Sequence, residues 1–138
     1  MQKNLLIIIP VLNEVDNIYP LLDKIFKYVK NKKKHILFID DNSSDGTRNK
    51  IYLAQKKYKN IFLIKRKEKL GIGSAHKRAL SWGFKNNYEK IITMDCDGTH
   101  NPIYITKMLK ILDVKKCQVV STNRFLNKKS LEDWSLWR

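Results

Sequence analysis

The stretch Leu5-Leu6-Ile7-Ile8-Ile9-Pro10-Val11-Leu12-Asn13-Glu14 decides the fold. Its apolar run is unbroken rather than alternating, as a strand covered on both faces requires, and parallel sheets are where strands are covered that way. It is far shorter than the roughly 18 to 20 apolar residues that cross a bilayer. It also lacks a small-residue cleavage site and runs into the polar pair Asn13-Glu14, so it reads as a buried first strand, Leu5–Pro10, and not as a signal segment.

Working outward, Ile18, Leu21, Leu22, Ile25, Phe26 and Val29 recur at helical spacing with Lys24, Lys27 and Lys30 outside the stripe, which predicts an amphipathic helix. The basic turn Lys32–Lys34 leads into a second strand, His35–Ile39, and the run Asp40-Asp41-Asn42-Ser43-Ser44-Asp45-Gly46 ends it before a helix over Thr47–Lys57. Ile61–Ile64 reads as the third strand. Gly71, Gly73 and Ser74 open a third helix that continues through Ala75, Ala79, Leu80 and Phe84. The fourth strand, Ile91–Met94, closes on Asp95-Cys96-Asp97-Gly98. Pro102 suits the first turn of a fourth helix carrying Ile105, Met108, Leu109 and Leu112. Gln118–Thr122 reads as a fifth strand. Short apolar runs alternating with helical segments predict an α/β protein with a mostly parallel sheet. Beyond Thr122 the pattern stops, and Trp134 and Trp137 have no evident partner, so a chain continuing past Arg138 is expected.

At 138 residues, with 43% hydrophobic and 30% charged residues, the chain has the size of one domain and a composition outside the disordered, collagen-like and disulfide-scaffold classes. The 2 cysteines, Cys96 and Cys117, form no zinc or redox motif and suit a reduced, cytoplasmic setting. Lys and Arg number 28 against 13 acids, a net charge of +15, which favours a polyanionic partner: nucleic acid, anionic lipid or a phosphorylated ligand.

The scarce acids are unevenly placed. Glu14, Asp40, Asp41, Asp45, Asp95 and Asp97 fall just after the carboxyl ends of strands one, two and four, where open α/β sheets bind their ligands. Carboxylates gathered in one crevice repel one another unless a cation or hydrogen-bond donors intervene. Asp95-x-Asp97 suits a hard divalent cation, Mg²⁺ or Mn²⁺, that shares its remaining positions with a diphosphate; the alternative is a turn with Gly98 that starts the fourth helix. Asp40-Asp41 could accept hydrogen bonds from a base or ribose, or could form an Asx turn in which Ser44 or Asp45 caps the next helix. Asn13-Glu14 is likewise a helix entry or a ligand contact.

Gly71-x-Gly73 lacks the third glycine and the Gly-Lys-Ser/Thr ending of a phosphate loop, so a tight turn before a helix explains it equally well. Arg66 and Lys69, just before it, could meet a diphosphate. His76 and His100 could each serve as a base or metal ligand, or be polar surface groups, the commoner case for a lone histidine near a helix start, and Cys96 reads as a small buried side chain.

Taken together, Pro10-Val11-Leu12-Asn13-Glu14 with Asn17, Asp40-Asp41-Asn42-Ser43-Ser44-Asp45-Gly46-Thr47, Gly71-Ile72-Gly73 and Asp95-Cys96-Asp97-Gly98-Thr99-His100-Asn101-Pro102 resemble, in order and interval, the family 2 glycosyltransferases. Asn123-Arg124-Phe125 and Trp134-x-x-Trp137-Arg138 make the dolichyl or polyprenyl phosphate mannosyltransferase branch the most similar. The resemblance runs from Leu5 to Arg138. It implies a GT-A fold, a three-layer α/β sandwich forming a single domain over residues 1–138, that uses a nucleotide-diphosphate sugar and Mg²⁺ or Mn²⁺. By that resemblance Pro10, Glu14, Asp40 and Asp41 hold the nucleoside, Asp95 and Asp97 form the metal motif, and Arg124 and Arg138 meet the phosphates of donor and acceptor, a role suited to guanidinium geometry. Many members carry Gln where this chain has Thr99.

The implied reaction is inverting transfer of a mannose-like hexose from GDP-mannose or a UDP-hexose to a polyprenyl phosphate at the cytoplasmic face of a membrane. Asp97, Arg124 and Arg138 would carry the catalysis. A phosphate acceptor is anionic at neutral pH and needs little general-base help. Three other readings stay open on sequence alone. One is a family 2 enzyme acting on a glycan hydroxyl, with its catalytic carboxylate downstream of Arg138. A nucleic-acid-binding module would use Lys32–Lys34, Lys56-Lys57 and Lys128-Lys129, although no known nucleic-acid motif accompanies them. A receiver-like phosphoacceptor domain fits less well, because its acid pair would follow an early strand without a second pair after the fourth.

Overall fold

The computed structural model describes residues 3–31 and 33–123. Four strands, β1 (Lys3–Val11), β2 (Lys34–Asp40), β3 (Ile61–Lys65) and β4 (Tyr88–Thr93), form one sheet in the order β3-β2-β1-β4. Every pairing is parallel, with Ile8 opposite Leu37 and Thr93, and Asp40 opposite both Val11 and Lys65. The unbroken apolar run of β1 is explained by this order. It is a central strand, and Leu5, Leu6, Ile7, Ile8 and Ile9 are all fully buried, as are Ile36, Leu37, Phe38 and Ile39 of β2. Each such Leu or Ile contributes about 1.5–3 kcal/mol by leaving water.

Helices α1 (Ile18–Tyr28), α2 (Thr47–Lys57) and α3 (Ile72–Lys85) make the crossovers. From β1 to β2 to β3 the chain steps one way across the sheet. It then returns past β1 to β4. Right-handed crossovers therefore place α1 and α2 on one face and α3 on the other. In agreement, α1 packs against α2, while α3 lies across β1, β2 and β4. Its Ala75 and Ala79 meet Leu6, Ile8, Leu37 and Ile39. Gly83 sets the depth of this contact, because a Cβ there would come within 2.9 Å of both Ile91 Cδ1 and Leu6 Cδ2. In α1 the expected stripe is the buried one, Ile18, Leu21, Leu22 and Ile25, with Val29 buried just past its end.

A single 3-10 turn, Pro102–Tyr104, leads into α4 (Ile105–Lys115). Asn101 caps this turn by accepting the Ile103 N–H at 3.1 Å, and Pro102 sits at its start. Two compact units divide the chain after Ile105: the first holds the whole sheet with α1 to α3, and the second begins at Thr106 with the rest of α4. Residues 118–122 form no strand, contrary to the sequence expectation. Strand propensity is largely a preference for a half-buried pleated surface, and Val119 is 82% exposed.

Candidate active site

Since β2 and β4 flank β1 on opposite sides, the strand order reverses at β1, and its carboxyl end is a topological switch point where such sheets bind ligands. A cleft of about 350 Å³ lies there. Pro10, Val11, Leu12 and Glu14 line it from the β1 exit, Asp41 from the β2 exit, Lys69, Gly71, Ile72 and Ala75 from the start of α3, and Asp95, Cys96 and Asp97 from the β4 exit.

The β1 and β2 exits are laced together residue by residue. The backbone N–H groups of Asn13, Glu14 and Val15 donate to Ser43 Oγ (2.9 Å), Thr47 Oγ1 (2.9 Å) and Asp45 Oδ2 (3.0 Å). In return Asn13 Oδ1 accepts the Ser44 N–H at 2.9 Å. Thr47, fully buried, donates its own hydroxyl proton to Asp45 Oδ1 at 2.6 Å. Asn13 can turn the chain here because Asn tolerates its positive φ of 57°. Burial pushes the Asp45 carboxyl up, but the Thr47 hydroxyl and the Thr47 and Val15 N–H groups outweigh it and hold it below its ordinary value. Asp45 thus has the structural role expected of it, through an Asx turn to Thr47, while Gly46 in the left-handed region takes the cap position itself. Glu14 is fixed by Asn17, whose Nδ2 donates to Oε2 at 2.6 Å.

The structure separates Asp40 from Asp41. Asp40 is fully buried and outside the cleft lining. Its carboxylate receives Arg48 Nε and the Ser43 N–H. Arg48 also donates to the Arg66 carbonyl oxygen at 3.0 Å, tying the β2 and β3 exits together. Asp40 is thus enclosed by protein groups, behind the cleft wall and not on it. Asp41 does line the cleft, with Oδ1 at 2.9 Å from Arg66 Nη1 and 3.1 Å from the Leu70 N, and Oδ2 accepting the Gly71 N–H at 2.9 Å. Gly71 has a φ of 85° and starts α3, so the tight-turn reading of Gly71-x-Gly73 holds. Arg66 is committed to Asp41, the Gly71 carbonyl (3.3 Å) and Ser74 Oγ (2.7 Å), and of the two basic residues considered for a diphosphate only Lys69 lines the cleft.

At the β4 exit, Asp97 Oδ1 accepts both the N–H (3.0 Å) and the hydroxyl (2.7 Å) of Thr99. His100 folds back so that Nδ1 accepts the Asp95 N–H at 3.0 Å. Cys96 is buried as expected, and burial first, then the charges of Glu14, Asp97 and Asp95, push its thiol up to about 12. It stays protonated at neutral pH and serves as a small wall group.

Among the described residues no three His, Cys, Asp or Glu side chains gather closely enough to enclose a cation. Asp95 and Asp97 nevertheless fit one. Both are hard oxygen donors on the same wall of the cleft, and Mg²⁺ characteristically binds through one or two carboxylates with the rest of its shell from phosphate oxygens and water. Arg124 and Arg138 lie outside the described residues. The fold brings together Glu14, Asp41, Asp95 and Asp97, four of the acids that the sequence expects in one crevice. Sequence reasoning missed Arg48 and undervalued His100, although an Arg at a helix start eight residues after Asp40 was a readable signal for the first.

This layering and switch-point cleft are those of a doubly wound α/β fold, and the solved structures it superposes on make it the GT-A type of glycosyltransferases. The family model for glycosyl transferase family 2 matches residues 6–137, and the chain belongs to that family. It is 28% identical over 136 residues to a polyprenol monophosphomannose synthase of Mycolicibacterium smegmatis, covering 96% of this chain and 49% of that protein. An undecaprenyl-phosphate mannosyltransferase of Micrococcus luteus is 29% identical over 105 residues, covering 76% of this chain and 42% of that one. The chain thus spans about half the length, or less, of these relatives. Among solved structures, a Pyrobaculum calidifontis mannosyltransferase in complex with GDP-Man and Mn²⁺ superposes with a TM-score of 0.64 at 20% identity, covering 81% of this chain and 33% of that chain.

Proposed function

We propose that this chain carries the donor site of a metal-dependent, inverting hexosyltransferase that moves a mannose-like sugar from GDP-mannose or a UDP-hexose to a polyprenyl or dolichyl phosphate. The observation that carries it is that Asp95 and Asp97 line the switch-point cleft together with Glu14 and Asp41. The names of the two curated relatives support the acceptor class, and the GDP-Man and Mn²⁺ of the structural neighbour support the donor and cofactor.

Asp95 and Asp97 hold the Mg²⁺ or Mn²⁺, which when bound supplies electrostatic stabilisation of the departing nucleoside diphosphate. Pro10 and Glu14 border the nucleoside. Asp41, neutralised by Arg66, completes that wall, and Asp40 supports it from behind through Arg48. Lys69 approaches the diphosphate from the α3 side. Arg124 and Arg138 meet the donor and acceptor phosphates. The acceptor phosphate attacks the anomeric carbon already anionic, which is why the cleft needs no dedicated base. The net charge of +15 suits docking at the anionic cytoplasmic face of a membrane, each well-placed Lys or Arg adding roughly 1 kcal/mol. No helix among the described residues is long and apolar enough to cross that membrane.

Calorimetric titration with GDP-mannose, UDP-glucose, GDP and UDP, with and without Mn²⁺, tests the donor site. Binding is expected to require Mn²⁺ and to weaken more than about tenfold in Asp97→Asn, since even supporting groups of a metal site cost that much. Metal-independent binding, or an unchanged Asp97→Asn, would overturn the metal assignment. Transfer to a polyprenyl phosphate and not to a glycan hydroxyl is the expected outcome of the acceptor assay.

A further inference from the structure

We infer that His100 is a positioning residue for the carboxylates of the β4 exit, acting on the backbone and not by charge. The purpose assigned to it rests on the donor-site reading above.

The last ladder bond at this exit is Met94 N–H to the Ile8 carbonyl, 3.0 Å. The next amide, that of Asp95, lies beyond the ladder and donates to His100 Nδ1 at 3.0 Å, five residues along the chain. A ring nitrogen that accepts a hydrogen bond carries no proton, so the imidazole hydrogen sits on Nε2. Asp95 Oδ2 is 3.7 Å from the same Nδ1, too far for a hydrogen bond, and in this tautomer there is no charge to pair with it. The contact that remains is geometric.

Both ends of the segment are anchored. Upstream is the sheet. Downstream, Asn101 and the buried Pro102 start the 3-10 turn that packs against α1, which fixes where His100 leaves the chain. Between them Gly98, with a φ of 85°, makes the reversal, and Thr99 bonds Asp97 Oδ1 twice. The His100 bond therefore closes a loop in which the first carboxylate-bearing residue is held by its amide and the second by its side chain. Supporting groups of this kind typically change metal affinity about 10- to 100-fold without touching the ion.

The test compares His100→Asn, His100→Gln and His100→Ala in the full chain. Asn places Oδ1 where Nδ1 stood and can keep the bond to the Asp95 amide, whereas Gln preserves polarity and bulk but places its oxygen near the Nε2 position. Three quantities are read: hydrogen exchange of the Asp95 amide by NMR, Mn²⁺ affinity by EPR with GDP or UDP present, and the melting temperature. The expected result is faster Asp95 exchange and about tenfold weaker Mn²⁺ binding in the Gln and Ala variants, with both near wild type in Asn and all three proteins folded. The inference falls if Asn behaves like Ala, or if Asp95 exchange is the same in every variant. Wild-type protein that shows the exchange pattern but binds no Mn²⁺ with either nucleotide overturns the donor-site reading, and with it the purpose given to His100.

Discussion

Arg66 shows how one residue organises the cleft wall. Its guanidinium joins Asp41, the Gly71 carbonyl and Ser74, and both partners of its ion pair are under one-tenth exposed. Removing one member of a buried pair leaves the other charged and unpaired, which costs about 3–5 kcal/mol. Arg66→Ala is accordingly expected to lower stability by about that much in urea unfolding. Simultaneous replacement of Arg66 and Asp41 by apolar residues should recover part of it. A loss under about 1 kcal/mol for the single variant, the range of exposed pairs, would show that solvent already screens this one. The sequence showed Asp41 and Arg66 as separate candidates for a ligand. That they satisfy each other follows from β2 and β3 being neighbours in register, with Asp40 opposite Lys65, which a linear chain does not display.

At the scale of elements, α3 carries two glycines with opposite consequences. Gly83 has the side-chain ends of the fully buried Leu6 and of Ile91 against the site of any Cβ, so both would have to shift to admit one. Overpacking costs about 1–3 kcal/mol, against the roughly 1 kcal/mol that Ala gains over Gly inside a helix. Gly83→Ala should be destabilising by up to about 2 kcal/mol on that balance. Gly73 faces open space and has ordinary helical backbone, so Gly73→Ala should stabilise by about 0.4–1 kcal/mol. Equal effects from the two substitutions, measured by thermal unfolding, would contradict the close approach of α3 to β1 and β4. The helices themselves were legible from the spacing of their apolar residues. The strand expected over 118–122 was not formed, because a short β-prone sequence becomes a strand only when a sheet edge and a covered face receive it.

For the whole molecule the surplus of base decides the response to acid. The net charge of +15 rises as carboxylates protonate, and self-repulsion loosens the compact state. Asp45 adds a separate contribution, since its carboxyl is held below its ordinary value in the fold. A depressed folded value means stability that is present above the unfolded value of about 4 and lost as pH falls through the folded one. The melting temperature should therefore drop on acidification below pH of about 4. Salt should restore the part due to repulsion. The gap between wild type and Asp45→Asn should close toward low pH at any salt concentration. A gap that widens on acidification would reverse the sign assigned to Asp45.

By itself the sequence determined the class of fold, the order of its elements as far as α4 and the gathering of acids at strand ends, because apolar period and turn chemistry are local properties that the chain writes in order. It also carried the family in four ordered motifs. Tertiary structure decided which of those acids line the cleft. Asp40 and Asp41 are adjacent in the chain and equal in chemistry, yet successive residues at a strand end point to opposite sides, so one is buried against Arg48 and the other lines the cleft. The same reason placed His100 beside the Asp95 amide: a hydrogen bond depends on where two groups meet in space, and only the folded chain sets that distance.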